Sequence, residues 1–138
     1  MSNMEQHIEV GSTLTRSYPT RKEHSARTVG SGEVEVLSTP SMVAFMENTA
    51  RQCVRSKLRE GYMTVGTEIC VSHLKPVPIG QTLTVTVQLL EIDKRKLTFK
   101  VKAEWRGTII GEGKHERFIV NKERFLQSLR ERMDELRM

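Results

Sequence analysis

The chain has 138 residues, 37% of them hydrophobic and 28% charged, with a formal net charge of +5. That length supports one domain with a real core and is too short for two, so a single domain over 1–138 is expected. Its apolar runs fall far below the ~20 residues that span a bilayer. Its basic residues are spread along the chain and are not interleaved with its four Phe, two Tyr and one Trp, which argues against a nucleic-acid stacking platform. No signal-peptide pattern opens the sequence, so a cytoplasmic location is expected, with Cys53 and Cys70 as reduced, buried, small apolar residues.

Ile8, Val10 and Leu14 alternate and predict an edge strand. The Pro- and Gly-bearing stretch from Pro19 to Gly32 leaves room for a short strand near Ser25–Val29 before a turn. Thr39-Pro40 reads as a helix start, with the hydroxyl at N-cap and proline at N1, where its missing N–H is no loss. The helix is expected to run to about Arg59 and stop at Gly61. From Thr64 to Val120 the pattern is antiparallel sheet. Leu83, Val85, Val87 and Leu89 alternate with Thr82, Thr84, Thr86 and Gln88, and Leu97, Phe99, Val101, Ala103 and Trp105 continue the alternation after a turn at Asp93–Lys96. Pro76 and Pro78 mark an interruption. Asn121 is placed to cap a last helix with Phe125, Leu129, Met133 and Leu136 on one stripe. One buried helix followed by long consecutive strands predicts an α+β fold in which an antiparallel sheet wraps a central helix.

Glu47 is the only charged side chain between Glu35 and Arg51. A helix that is apolar nearly all round is a buried one, and a carboxylate there is costly unless it is paired or used. An i,i+4 pair with Arg51 is the plain alternative, but Val43, Ala50 and Val54 share the face of Glu47. His73 closes a β-patterned run on the same side as Val65, Ile69 and Val71, which turns it toward the core. Gly66, inside a strand, marks either a bulge or the close approach of another group. A hydroxyl, a carboxylate and an imidazole at the edges of apolar elements point to acyl-transfer chemistry. His115, between two glycines and a charged run, reads as structural or as part of a dimer seam.

Four segments together resemble the hotdog-fold acyl-CoA thioesterases, within them the fluoroacetyl-CoA thioesterase-like family: Val36-Leu-Ser-Thr-Pro-Ser-Met-Val-Ala-Phe-Met-Glu47, Thr64-Val-Gly-Thr67, Val71-Ser-His73 and Gly113-Lys-His-Glu-Arg117. The likeness runs from Glu9 to Phe125. It implies a hotdog fold and hydrolysis of an acyl-CoA thioester, with Thr39, Glu47 and His73 as catalytic residues and the Gly66 N–H near the thioester. It also implies a homodimer with the sheets joined edge to edge and the active sites at the interface, a tetramer of such dimers remaining open. No metal or prosthetic group is implied, coenzyme A being part of the substrate, and neither nucleic acid nor membrane is an expected partner. Met42, Phe45 and Met46 are the expected acyl-pocket residues, and their apolar character predicts a short to medium, neutral acyl group. Between Pro19 and Val36 there is no Phe, Tyr or Trp, whereas the fluoroacetyl-specific enzyme closes its pocket with aromatic side chains there. The resemblance therefore does not extend to fluoroacetyl selectivity. Glu47 would act as base or nucleophile. A non-catalytic acyl-CoA-binding or sensing module on the same fold is the second reading.

Overall fold

The computed structural model describes residues 8–137; the expected single domain includes residues 1–7 and 138, which lie outside that range. In chain order the elements are β1 (Thr13–Pro19), a 3-10 turn (Lys22–His24), α1 (Ala26–Val29), α2 (Thr39–Arg55), β2 (Tyr62–His73), β3 (Thr82–Asp93), β4 (Lys96–Trp105), β5 (Thr108–Asn121) and α3 (Lys122–Leu136). The five strands form one antiparallel sheet in the order β1-β3-β4-β5-β2. Helix α2 contacts all five strands. This is the expected α+β architecture, a sheet around a central helix with a second helix at the C-terminal end.

The period-two alternation does what it predicts. Leu83, Val85, Val87 and Leu89 of β3 and Leu97, Phe99, Val101 and Ala103 of β4 are all fully buried. Each large side chain of this set contributes roughly 1.5–3 kcal/mol by leaving water. Across from them α2 buries Met42, Met46, Ala50 and Val54, a stripe repeating every four residues.

Several elements differ from expectation, beginning with β1, which starts at Thr13 and leaves Ile8 and Val10 outside it. The N-cap of α2 is Ser38, whose backbone is extended (φ −75°, ψ 148°) and whose Oγ accepts from the Ser41 N–H at 3.0 Å. Thr39 is already helical, so its hydroxyl is not spent on the cap. The helix ends at Arg55, earlier than Arg59, because the following turn folds Leu58 back against the core; Gly61 then takes a left-handed φ of +88° ahead of β2. Ser25–Val29 is not a strand. Ser25 caps the short α1 through the Thr28 N–H, and only the Ser25–Leu37 bridge is β-like.

Two further expectations need correcting. Cys70 is exposed and Cys53 half-buried, and neither is in a disulfide. Asn121 does cap α3, accepting from the Arg124 N–H at 3.0 Å, but Leu129, Met133 and Leu136 on its apolar stripe lie open to solvent within the single chain.

Gly113 sits where β5 pairs with β2, and a Cβ there would collide with the backbone of Cys70 and Val71. Backbone cannot yield as a side-chain tip can. Gly113→Ala is expected to destabilise by about 1–3 kcal/mol, seen as a lower urea midpoint at unchanged slope.

Candidate active site

Two clusters of polar side chains lie along the α2–β2 seam. The first forms where the start of α2 meets the end of β2. Thr39 Oγ1 and His73 Nδ1 are 2.8 Å apart. The other ring nitrogen, His73 Nε2, is buried and has no hydrogen-bond partner among the described residues. A buried imidazole nitrogen without a partner is rare in a folded protein and calls for a use. Burial holds the His73 pKa below its ordinary value, the backbone at Lys75 opposing this in part. The ring is therefore neutral near pH 7 and suited to exchanging a proton.

The second cluster lies two helical turns further along α2. Gly66 of β2 faces Glu47: a Cβ built on it would stand 2.8 Å from Glu47 Oε2 and 3.4 Å from both Arg117 Nη1 and His115 Cε1. The missing side chain is what lets these three groups converge. Gly66 also precedes a bulge, since the β2–β5 register shifts between Gly66 and Glu68. Close approach and bulge, the two readings of this glycine, are thus both realised.

Arg117, which the sequence reading passed over as part of a motif, is the best-anchored residue here. It is buried; its Nε donates to Thr64 Oγ1 at 2.8 Å and its Nη2 to the Thr64 carbonyl at 3.1 Å. His115, also buried, pairs its Nδ1 with the Glu68 carbonyl at 2.8 Å, so Nδ1 carries the proton and Nε2 accepts from Arg117 Nη1 at 3.2 Å. His115 thus serves as a structural brace, as expected of it. Burial pulls the Arg117 pKa down while the Glu47 carboxylate pushes it up, and the same carboxylate favours charge on His115, whose pKa burial lowers. The i,i+4 pair of Glu47 with Arg51 does not form; Arg51 donates to Asn48 Oδ1 at 2.8 Å instead.

The expected acyl-pocket residues do not line the cavity beside Thr39 and His73. Met42 and Met46 are fully buried in the core stripe of α2. Phe45 is half-buried and stacks on Tyr18 with ring centroids 4.5 Å apart, its other neighbour being His24. That cavity, of about 290 Å³, is walled by Ala26, Val36, Leu37, Leu74 and Pro76. Its rim at Ser31 belongs to the exposed stretch of residues 27–35. Among the described residues no three His, Cys, Asp or Glu side chains gather as a metal site requires.

Eight residues of α2 separate Thr39 from Glu47, about 12 Å along the axis, and seven residues of β2 separate Gly66 from His73, about 23 Å. One carbonyl cannot touch both clusters of the same chain. The two clusters are separate sites within one chain.

A family model described as fluoroacetyl-CoA-specific thioesterase matches residues 20–123. The fluoroacetyl-CoA thioesterase of Streptantibioticus cattleyicolor is 36% identical over 98 residues, 71% of this chain and 70% of that protein. A solved structure of the fluoroacetyl-CoA thioesterase FlK superposes with a TM-score of 0.85 at 30% identity, covering 91% of this chain and 97% of the other. A hot-dog-like protein from Thermanaerovibrio acidaminovorans shares the fold, with a TM-score of 0.83 at 23% identity over 89% of this chain and 91% of its own.

The two depressed histidines make stability depend on pH. The unfolded chain takes up these protons near pH 6.5, the folded chain only at lower pH. Between those values the unfolded state binds more protons, so stability rises with pH and is lost as pH falls below about 6.5. The urea midpoint is expected to drop between pH 7.5 and pH 5, and more shallowly in His115→Gln.

Proposed function

The chain belongs to the fluoroacetyl-CoA-specific thioesterase family and has the hotdog fold; on that premise we propose that it hydrolyses short to medium, neutral acyl-CoA thioesters. The products are the free acid and coenzyme A. The observation that carries this reading is the half-buried Glu47 carboxylate held over the bare backbone of Gly66, beside the anchored Arg117.

In this mechanism Glu47 takes a proton from water as the water oxygen bonds to the thioester carbonyl carbon. The carbonyl oxygen becomes an oxyanion, which the Gly66 N–H stabilises. Collapse breaks the C–S bond, and the leaving thiolate takes up the proton that Glu47 removed from water, with His73 assisting its transfer. Thr39, hydrogen-bonded to His73, orients that ring. The reaction uses no metal or prosthetic group.

Because the half-sites of one chain are too far apart, the working site combines Glu47 and Gly66 of one subunit with Thr39 and His73 of the partner subunit. Strand β2 supports this arrangement. It is twelve residues long, pairs among the described residues only with β5, and forms an edge of the sheet. A long open edge is a pairing surface, and antiparallel pairing of two β2 strands about a two-fold axis sets the His73 end of each against the Gly66 end of the other. The protein is therefore a homodimer in this proposal, acting in the cytoplasm.

The acyl chain occupies the cavity beside Thr39 and His73. Its volume is at the low end for ligand pockets, which suits a short to medium chain, and half of its lining residues are apolar, the rest being polar apart from Lys75. The rim at Ser31, flanked in sequence by Gly30 and Gly32, has no aromatic side chain to seal against water or a larger acyl group. Strong selectivity for fluoroacetyl-CoA over acetyl-CoA is accordingly not part of this proposal.

On an acyl-CoA panel from acetyl to hexanoyl, Glu47→Ala is expected to lower kcat by about 10²–10⁴-fold. Gly66→Ala should lose activity to a comparable extent while melting within a few degrees of wild type. The new methyl crowds only the flexible end of Glu47 and stands in ordinary contact with Arg117 and His115, and the backbone of Gly66 is not left-handed. Undiminished turnover in Glu47→Ala overturns the assignment. The shared site has its own test. Mixed refolding of Glu47→Ala with His73→Ala chains, each inactive alone, should restore about a quarter of wild-type activity, since half the dimers are mixed and each of those has one intact site. Failure to complement, or a monomeric mass by light scattering, contradicts it.

A further inference from the structure

Beyond Glu47, the C-terminal half of α2 faces a second cavity, of about 330 Å³, between α2 and the start of β2. Arg51, Arg55 and Lys122 line it together with Leu58, Tyr62 and Met63, and its lining includes no carboxylate. None of the three cations is in an ion pair among the described residues. Arg51 turns away from Glu47 to Asn48. Cations that face a common cavity without a carboxylate partner are costly for folding and useful for holding an anion. The half-buried Tyr62 and the apolar Leu58 and Met63 add a surface on which a planar ring can rest.

The position of this cavity is also informative. Arg51 and Arg55 stand one and two turns beyond Glu47, about 6 and 12 Å along the axis. Thr64 both lines the cavity and holds the Arg117 guanidinium. Arg51 lies near enough to Arg117 to act against its charge. A positive track thus leads from the cavity to the point where Glu47, Gly66 and Arg117 meet.

We propose that this cavity holds the 3′-phosphorylated adenosine diphosphate end of coenzyme A, with Arg51, Arg55 and Lys122 on its phosphates and Tyr62 against its adenine. The assignment rests on the thioesterase reading above and names the part of the substrate that the reacting centre does not touch. Arginine forks match phosphate oxygens in pairs, and lysine adds a point charge. A single-stranded nucleic acid is a poorer occupant, because it needs several aromatic platforms along a groove and this cavity offers one. The thioester arm then runs along α2 to Gly66, and the acyl group passes into the cavity beside the partner's Thr39–His73 pair.

The test uses the full-length protein. Arg55 and Lys122 are exposed, so Arg55→Gln/Lys122→Gln leaves the core intact; Lys100→Gln, on the exposed side of β4, controls for lost charge. Adenosine 3′,5′-bisphosphate is titrated calorimetrically into each, and kcat/KM is measured for butyryl-CoA and for butyryl-pantetheine, which lacks the nucleotide. The double variant should bind the bisphosphate at least about tenfold more weakly. Its ratio of kcat/KM for the CoA ester over the pantetheine ester should fall by a similar factor, while Lys100→Gln retains both. Equal bisphosphate binding by wild type and double variant, or an unchanged ratio, overturns the site and leaves the thioesterase reading standing. If bisphosphate binding depends on Arg55 and Lys122 but no thioester is hydrolysed, the nucleotide site stands and the thioesterase reading falls.

Discussion

Helix α2 lies so close to the sheet that two strand positions beneath it have no room for a side chain. At Gly111 any Cβ would run into Met42, and at Gly66 it would run into Glu47. These two contacts set the height of the helix above the sheet, and much of the molecule follows from that height. It lets Met42, Met46, Ala50 and Val54 reach the buried faces of β3 and β4, and it places Glu47 against backbone instead of against another side chain. Stability and chemistry thus share one geometric condition. Raising the helix by a methyl group at position 111 disturbs the core; doing so at position 66 disturbs the carboxylate.

The charges around Glu47 show how a half-buried carboxylate is accommodated without a direct ion pair. Arg117 does not close on it. The guanidinium is held by Thr64 on one side and His115 on the other, and its field reaches Glu47 from a short distance. A direct bidentate pair would lock the carboxylate and occupy both of its oxygens. Holding the arginine on other partners leaves the carboxylate oxygens available, and the cost of burying the guanidinium is met by hydrogen bonds to neutral groups, as a buried charge requires.

How much of this was legible in the sequence depended on the physics behind each feature. Strands β3 and β4 were plain because burial on one face imposes a period of two, which Leu83 to Leu89 and Leu97 to Ala103 obey. The helix start was placed one residue late: Ser38 and Thr39 are both capping residues before Pro40, and the choice between them lies in the backbone angle at Ser38, not in composition. Arg117 was missed although a signal was present. Glu112, Lys114 and Glu116 alternate with Gly111, Gly113, His115 and Arg117, so outward-facing charges on one parity turn His115 and Arg117 inward toward the helix. The burial of Met42 and Met46 was legible on the same grounds, since they share a four-residue spacing with Ala50 and Val54. The unpartnered Nε2 of His73 was beyond reach, because it depends on which atoms of a loop and a helix end lie nearby in space.

The stretch from Arg27 to Glu35 is exposed, and its turn is gathered on one atom: the Ala26 carbonyl accepts from the N–H groups of Gly30, Ser31 and Gly32 at 3.0, 2.9 and 3.1 Å. None of these side chains belongs to the core cluster, so most substitutions cost little stability even though the segment borders the cavity beside Thr39 and His73. Such an arrangement separates the rate at which the scaffold changes from the rate at which the pocket mouth changes. Variants with a larger or smaller mouth can accumulate without approaching the threshold at which the protein unfolds, which makes this segment the natural place for acyl preference to drift between lineages and the first place to randomise when a new one is wanted.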